Sequence, residues 1–296
     1  MKTHMAAIIL LSSVIHAQDM PLSQVLQDDS PWTLVAEGLN FTEAPAVDRN
    51  GRLYFSDVPT GRIFRLNADH KPELFAENDG RTSGLMFGQD GLLYACHYRT
   101  RIVAAYQQNG EFKQVAALPS VNDLVVAANG LIYVTDPKSQ AVWLVDSKGS
   151  WAPRKVAEGF KPNGIILWQD EGTLVVTDGA QPVLRTFRVE TDGSLKYGDT
   201  YYSPLQTPFG EPVSQSDGMT VDEKHRLYVA TSLGVQMFDP TGRLGGTISA
   251  PQRGFLSNVV FGGKDFKTLY ATSADKVFAR RVKAAGPPSI LRYQNQ

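Results

Sequence analysis

The chain has 296 residues, 42% of them apolar and 20% charged, with 26 Gly and 17 Pro. That balance excludes a disordered chain and describes a globular protein rich in turns. A formal charge of -1, with Lys and Arg scattered singly, gives no electrostatic footprint for nucleic acid or an anionic membrane, and the single Cys96 excludes an internal disulfide.

Residues 1–17 read as a secretory signal. Lys2 and His4 precede an apolar run from Met5 to Ile15, and His16-Ala17-Gln18 offers a small-residue cleavage position. The run is too short to span a bilayer, so export to the periplasm or the medium is expected, with cutting near Ala17. Residues 18–30 are polar and unpatterned, a linker or surface arm. A repeat then begins. Aligning one apolar pair per unit gives Leu53-Tyr54, Leu93-Tyr94, Ile132-Tyr133, Leu174-Val175, Leu227-Tyr228 and Leu269-Tyr270, at spacings of 40, 39, 42, 53 and 42.

Periods near 40 with β-type alternation mark a propeller of four-stranded blades. The predicted fold is all-β, a six-bladed β-propeller over residues 31–285. Asn50-Gly51, Asp90-Gly91 and Asn129-Gly130 supply the positive-φ residues that tight hairpins need. The last unit offers three strands, and Trp32–Glu37 resembles the fourth strands of other units while preceding the first. It is expected to complete the last blade and remove an exposed edge. Residues 286–296 form a C-terminal tail. The long interval between units four and five, 198–215, is a candidate lid or pocket wall, with Tyr201 and Tyr202 as candidate substrate contacts.

Counting back 11 residues from each anchor, or 12 in units four and six, gives Glu43, Ser83, Asn122, Asn163, Asp217 and Asn258. In a propeller these positions converge on the central channel. Two carboxylates and three amides suit a hard divalent cation, calcium first, with magnesium or manganese also served; the alternative is a water-filled polar channel. Three residues after each anchor a second ring reads Asp57, His97, Asp136, Asp178, Thr231 and Ser273. His97 is the candidate there for proton exchange or substrate contact, against the plainer reading of a hydrogen-bonded core histidine. Arg81, just before Ser83, is a candidate substrate contact. The chain has no nucleophile elbow, Walker loop or dinucleotide fingerprint.

Phe41-Thr42-Glu43-Ala44-Pro45, Val121-Asn122-Asp123-Leu124, Pro162-Asn163-Gly164-Ile165, Ser216-Asp217-Gly218-Met219 and Ser257-Asn258-Val259-Val260-Phe261-Gly262-Gly263 together span nearly the whole mature chain. In them the sequence resembles the family of senescence marker protein, gluconolactonase and luciferin-regenerating enzyme. The resemblance implies hydrolysis of a lactone by water activated at one divalent metal, zinc being a further candidate. Glu43, Asn163 and Asp217 would be ligands, Asn122 a fourth ligand or substrate contact, and Asp217 also the general base. Relatives acting on sugar lactones often carry Arg where this chain has Ser120, so Ser120 marks a candidate difference in substrate contact. The partner implied is a small-molecule lactone or ester, acted on by a monomer or small homo-oligomer. An arylesterase or organophosphate hydrolase on the same metal, and a non-catalytic ligand-binding propeller with a structural metal, are the alternatives.

Overall fold

The computed structural model describes residues 22–287. The expected signal 1–17 and the tail beyond 287 lie outside the described residues. The chain forms six four-stranded antiparallel sheets, each a blade. Five blades are built from consecutive strands, and the sixth takes its outer strand, Thr33–Ala36, from the start of the chain. That strand pairs antiparallel with Lys276–Arg281, placing Thr33 opposite Ala279 and Leu34 opposite Phe278. Both the blade count and the closure agree with the sequence pattern.

The blades hold together because each buries both faces against its neighbours. Six apolar clusters result, one at each junction. Tyr54 and Ile63 of blade one pack with Leu85, Ala95 and Tyr106 of blade two. Leu53 and Phe55 of blade one meet Tyr270 and Val277 of blade six across the closure. This two-sided burial explains why second strands such as Leu53–Asp57 and Leu227–Thr231 are buried at every residue. Each fully buried Leu or Phe contributes about 1.5–3 kcal/mol.

Part of the expected arm is fastened to the body. Val25 is fully buried in the cluster joining blades five and six, Leu26 bridges to Val282, and Lys283 N donates to Val25 O at 2.7 Å.

The innermost strands are Thr42–Val47, Thr82–Phe87, Leu124–Val126, Pro162–Leu167, Met219–Val221 and Leu256–Gly262. All enter the channel from the same end, called the mouth below.

The insertion corrects one expectation. Tyr202 is buried and accepts a hydrogen bond from Trp168 Nε1 at 2.9 Å, while Tyr201 Oη donates to Pro240 O at 2.9 Å. Trp168 follows the far end of the blade-four inner strand, opposite Asn163, so neither tyrosine lines the mouth. The insertion first fills the groove between blades four and five, where apolar surface needs cover. It then climbs, Leu205 N donating to Pro182 O and Gln206 pairing with Gln236 in both directions.

Candidate functional site

The register of the inner strands sets which side chains meet. Irregular pairing interrupts blades one, two, four and six at the mouth, between Glu43 and Ala46, Thr82 and Gly84, Pro162 and Ile165, and Leu256 and Asn258. Such bulges leave a residue unpaired and re-aim its side chain. The level they define is Glu43, Ser83, Asn122, Asn163, Asp217 and Ser257.

Asn258 is therefore displaced by one position from the ring predicted for it. Tyr270 pairs with Val260, ten residues back, whereas Tyr133 pairs with Val125, eight back. The blade-six hairpin carries two extra residues rather than one. Asn258 belongs to the level beneath, which reads Ala44, Gly84, Asp123, Gly164, Gly218 and Asn258.

That lower level works by alternation of size. A Cβ on Gly84 would lie 2.7 Å from Asp123 Oδ1, and one on Gly218 would overlap the amide of Asn258. The missing side chains make room for Asp123 and Asn258, which form the floor. Asp123 Oδ1 accepts from Leu124 N and Asn258 Oδ1 from Val259 N, each at 2.8 Å. Asn258 also bonds to the Glu43 carboxylate from below.

The buried Glu43 and Asp217 carboxyls lie within hydrogen-bonding reach of each other in the channel. Burial, and then the Asp217 charge, raise Glu43 well above the usual carboxylate range. Burial, and then Asp123, push Asp217 up to about 8. Asp123 is raised by burial and by Glu43. The three acids cannot all ionise without a positive partner. Beside them Asn163 Oδ1 is buried with no hydrogen-bond partner, as is Ser216 Oγ. Among the described residues no three His, Cys, Asp or Glu side chains converge into a ready metal cluster. A cation here would draw on the Glu43 and Asp217 carboxylates and the orphaned amide oxygen of Asn163. This all-oxygen set fits a hard divalent ion.

Other predicted residues fall into place around this group. Asn122 is half-buried at the ring level, its O accepting from Ser83 Oγ at 2.7 Å. Ser83 is thus committed to holding blade three, and serves as a spacer. Ser120 is buried two residues above Asn122, and Arg81 is exposed at the rim. His97 is not brought to the acids. Its Nε2 pairs with Tyr106 Oη at 2.8 Å, its ring meets Phe112 edge-on, and burial lowers its pKa to about 4. It is a satisfied histidine within blade two. Asp123 was missed as a floor residue. Reading one position past the ring exposes it, since that column is small except at Asp123 and Asn258.

Beneath the floor the channel continues as an apolar cavity of about 160 Å³, lined by Leu85, Val125, Leu167, Val221 and Val260. Of the site it touches only Asp123 and Asn258.

A family model described as SMP-30/Gluconolactonase/LRE-like region matches residues 41–275. The chain is similar to gluconolactonase of Zymomonas mobilis, at 24% identity over 304 residues, covering 90% of this chain and 85% of that protein. A gluconolactonase structure from Xanthomonas campestris matches with a TM-score of 0.76 at 24% identity, over 86% of this chain and 90% of that one. Regucalcin, a calcium-binding protein from Agrobacterium tumefaciens, matches with a TM-score of 0.71 at 17% identity, over 87% and 97%. Both structural likenesses speak to the fold.

Proposed function

Because the chain belongs to the SMP-30/gluconolactonase/LRE-like family, we propose that the channel mouth hydrolyses a small-molecule lactone. A divalent cation, calcium first, would be held by Glu43, Asn163 and Asp217, with Asn122 as a further donor or a substrate contact. The observation that carries this reading is the buried Glu43 and Asp217 carboxyls brought together beside the unpartnered Asn163 Oδ1. The gluconolactonase name of the Zymomonas mobilis relative supports the reaction class, and the calcium-binding regucalcin supports the choice of ion.

When bound, the cation supplies an electrophile that polarises the lactone carbonyl. Asp217 takes the proton as water attacks the carbonyl carbon. The ring C–O bond then breaks, and the departing alkoxide receives a proton to give the open hydroxy acid. Asn258, bonded to Glu43, and the backbone N–H of Ala44, which donates to Glu43 Oε2, hold that carboxylate in position. Asn122, on the blade-three side, would serve as the further donor to the cation or orient the substrate.

The test is hydrolysis of aldonolactones and aryl esters by EDTA-stripped protein, reloaded with Ca²⁺, Mn²⁺, Mg²⁺ or Zn²⁺. Activity is expected only after reloading, with a loss of at least about 100-fold in Asp217→Asn. The reading is wrong if no lactone or ester turns over with any metal, or if Asp217→Asn is as active as the parent.

A further inference from the structure

The mouth is electrically lopsided. Two residues above the ring, in blade order, stand Phe41, Arg81, Ser120, Lys161, Gln215 and Phe255. Phe41 and Phe255, from adjoining blades one and six, approach ring to ring at 6.0 Å and wall one side. The opposite arc, blades two to four, carries Arg81, Arg99, Arg101, Lys138 and Lys161, all exposed, against Arg253 alone, among the described residues, as an unpaired cation on the loop that bears Phe255.

Backbone hydrogen bonds fix these residues' loops at the mouth. Tyr98 N donates to Arg81 O at 3.1 Å, Arg99 N to Gly80 O at 2.7 Å and Leu118 N to Arg101 O at 3.0 Å. Gly159 N donates to Gln140 O at 3.0 Å, and Gly179 N to Lys161 O at 2.7 Å. Among the described residues none of the five cations is in an ion pair, whereas Arg62 and Lys276, at the same end of blades one and six, pair with Glu77 and Glu37. The acidic side chain within those loops is Asp79; at their base the buried Asp136 accepts from Ser139 N, and the buried Asp178 accepts from Lys161 N and pairs with Arg185. Five like charges on one arc repel one another, and a bound anion would relieve that repulsion. With a rise of about 3.3 Å per residue, Arg81 and Lys161 stand roughly 6–7 Å above the ring of Glu43 and Asp217, within reach of the far end of a lactone whose carbonyl sits at that ring.

We infer that the substrate, given the lactone-hydrolase reading on which this rests, is a lactone bearing a second, anionic group, a carboxylate or a phosphate. That group lies against the blade-two-to-four arc. The Phe41–Phe255 side takes the apolar face of the ring.

Three matched lactones test this: a neutral aldonolactone, one with a terminal carboxylate and one with a terminal phosphate, the last two deciding which anion is preferred. At about 0.01 M salt, kcat/KM is expected to favour a charged lactone by at least about tenfold. The preference should shrink at about 0.1 M, as the screening length falls from about 30 to 10 Å. The triple variant Arg99→Gln, Lys138→Gln, Lys161→Gln should lower the charged-to-neutral ratio by about tenfold. Equal or better use of the neutral lactone, or a ratio unmoved by salt and by the triple variant, overturns the inference. Calorimetry with the matching mono- and dianionic hydroxy acids reads the arc without turnover. Equal affinity for the two overturns the inference even where lactone hydrolysis itself has failed, and tighter, arc-dependent binding of the dianion supports it independently.

Discussion

Gly218 is the point at which packing and site are most tightly joined. A methyl there would occupy the space of the Asn258 amide, whose Oδ1 accepts from Val259 N at 2.8 Å and which also bonds to Glu43. In Gly218→Ala the clash alone costs about 1–3 kcal/mol as overpacking. Turning Asn258 away leaves buried polar groups unsatisfied, for about 1–3 kcal/mol more. The expected loss is therefore about 4 kcal/mol. At roughly 2–4 °C per kcal/mol for a domain of this size, the melting temperature falls by roughly 8–16 °C. Gly38→Ala is the control: its φ is +78°, yet nothing stands within 4 Å of the added Cβ, so only the backbone cost of about 1–2 kcal/mol applies. Thermal unfolding of Gly218→Ala, Asn258→Ala and the double variant completes a cycle. Removing the Asn258 side chain should recover at least about 1.5 kcal/mol of the Gly218→Ala loss. The packing argument fails if Gly218→Ala melts no lower than Gly38→Ala, or if Asn258→Ala restores nothing.

Two further outcomes follow from the same geometry. Burial raises Glu43, Asp123 and Asp217, Asp217 to about 8. The cation-free folded state therefore holds more protons than the unfolded state between about pH 4 and 8, and stability drops as pH rises through that window, by up to about 1.4 kcal/mol per pH unit for each titrating group. Melting curves of EDTA-treated protein from pH 5 to 8 should show that fall, and Ca²⁺ or Asp217→Asn should flatten it; a flat or rising curve without metal contradicts the assignment. His97→Gln removes the 2.8 Å bond to Tyr106 and should cost about 1–3 kcal/mol of stability while kcat and its pH profile stay unchanged. A fall in kcat of about 100-fold or more at an unchanged melting temperature would return His97 to the chemistry.

Glu43 and Asp217 could be placed on one level from the sequence because their hairpins are of equal length, and Asn163 because the one extra residue of the blade-four hairpin was allowed for. Asn258 slipped by one because the blade-six hairpin is two residues longer, and pairing, which counts residues across strands, is needed to see it. Tyr201 and Tyr202 looked like mouth residues because they stand shortly before Asp217 in the chain. The insertion spends those residues covering the groove between blades, with Tyr202 against Phe238 at 5.6 Å. His97 had no visible partner in its own stretch, since Tyr106 lies one strand further out.

The sequence by itself determined the repeat, the number of blades and the closure by Thr33–Ala36, because strand alternation and turn chemistry are local and recur with every unit. Only the tertiary structure decided what stands across the channel from what. Closing six blades into a ring brings Glu43 to Asp217 and seats Asn258 in the space left by Gly218. It also gathers Arg81, Arg99, Arg101, Lys138 and Lys161 onto one arc, although in the linear chain they were scattered single charges in a protein of net charge -1. Their field depends on where the loops stand around the channel axis, which no run of neighbouring residues encodes.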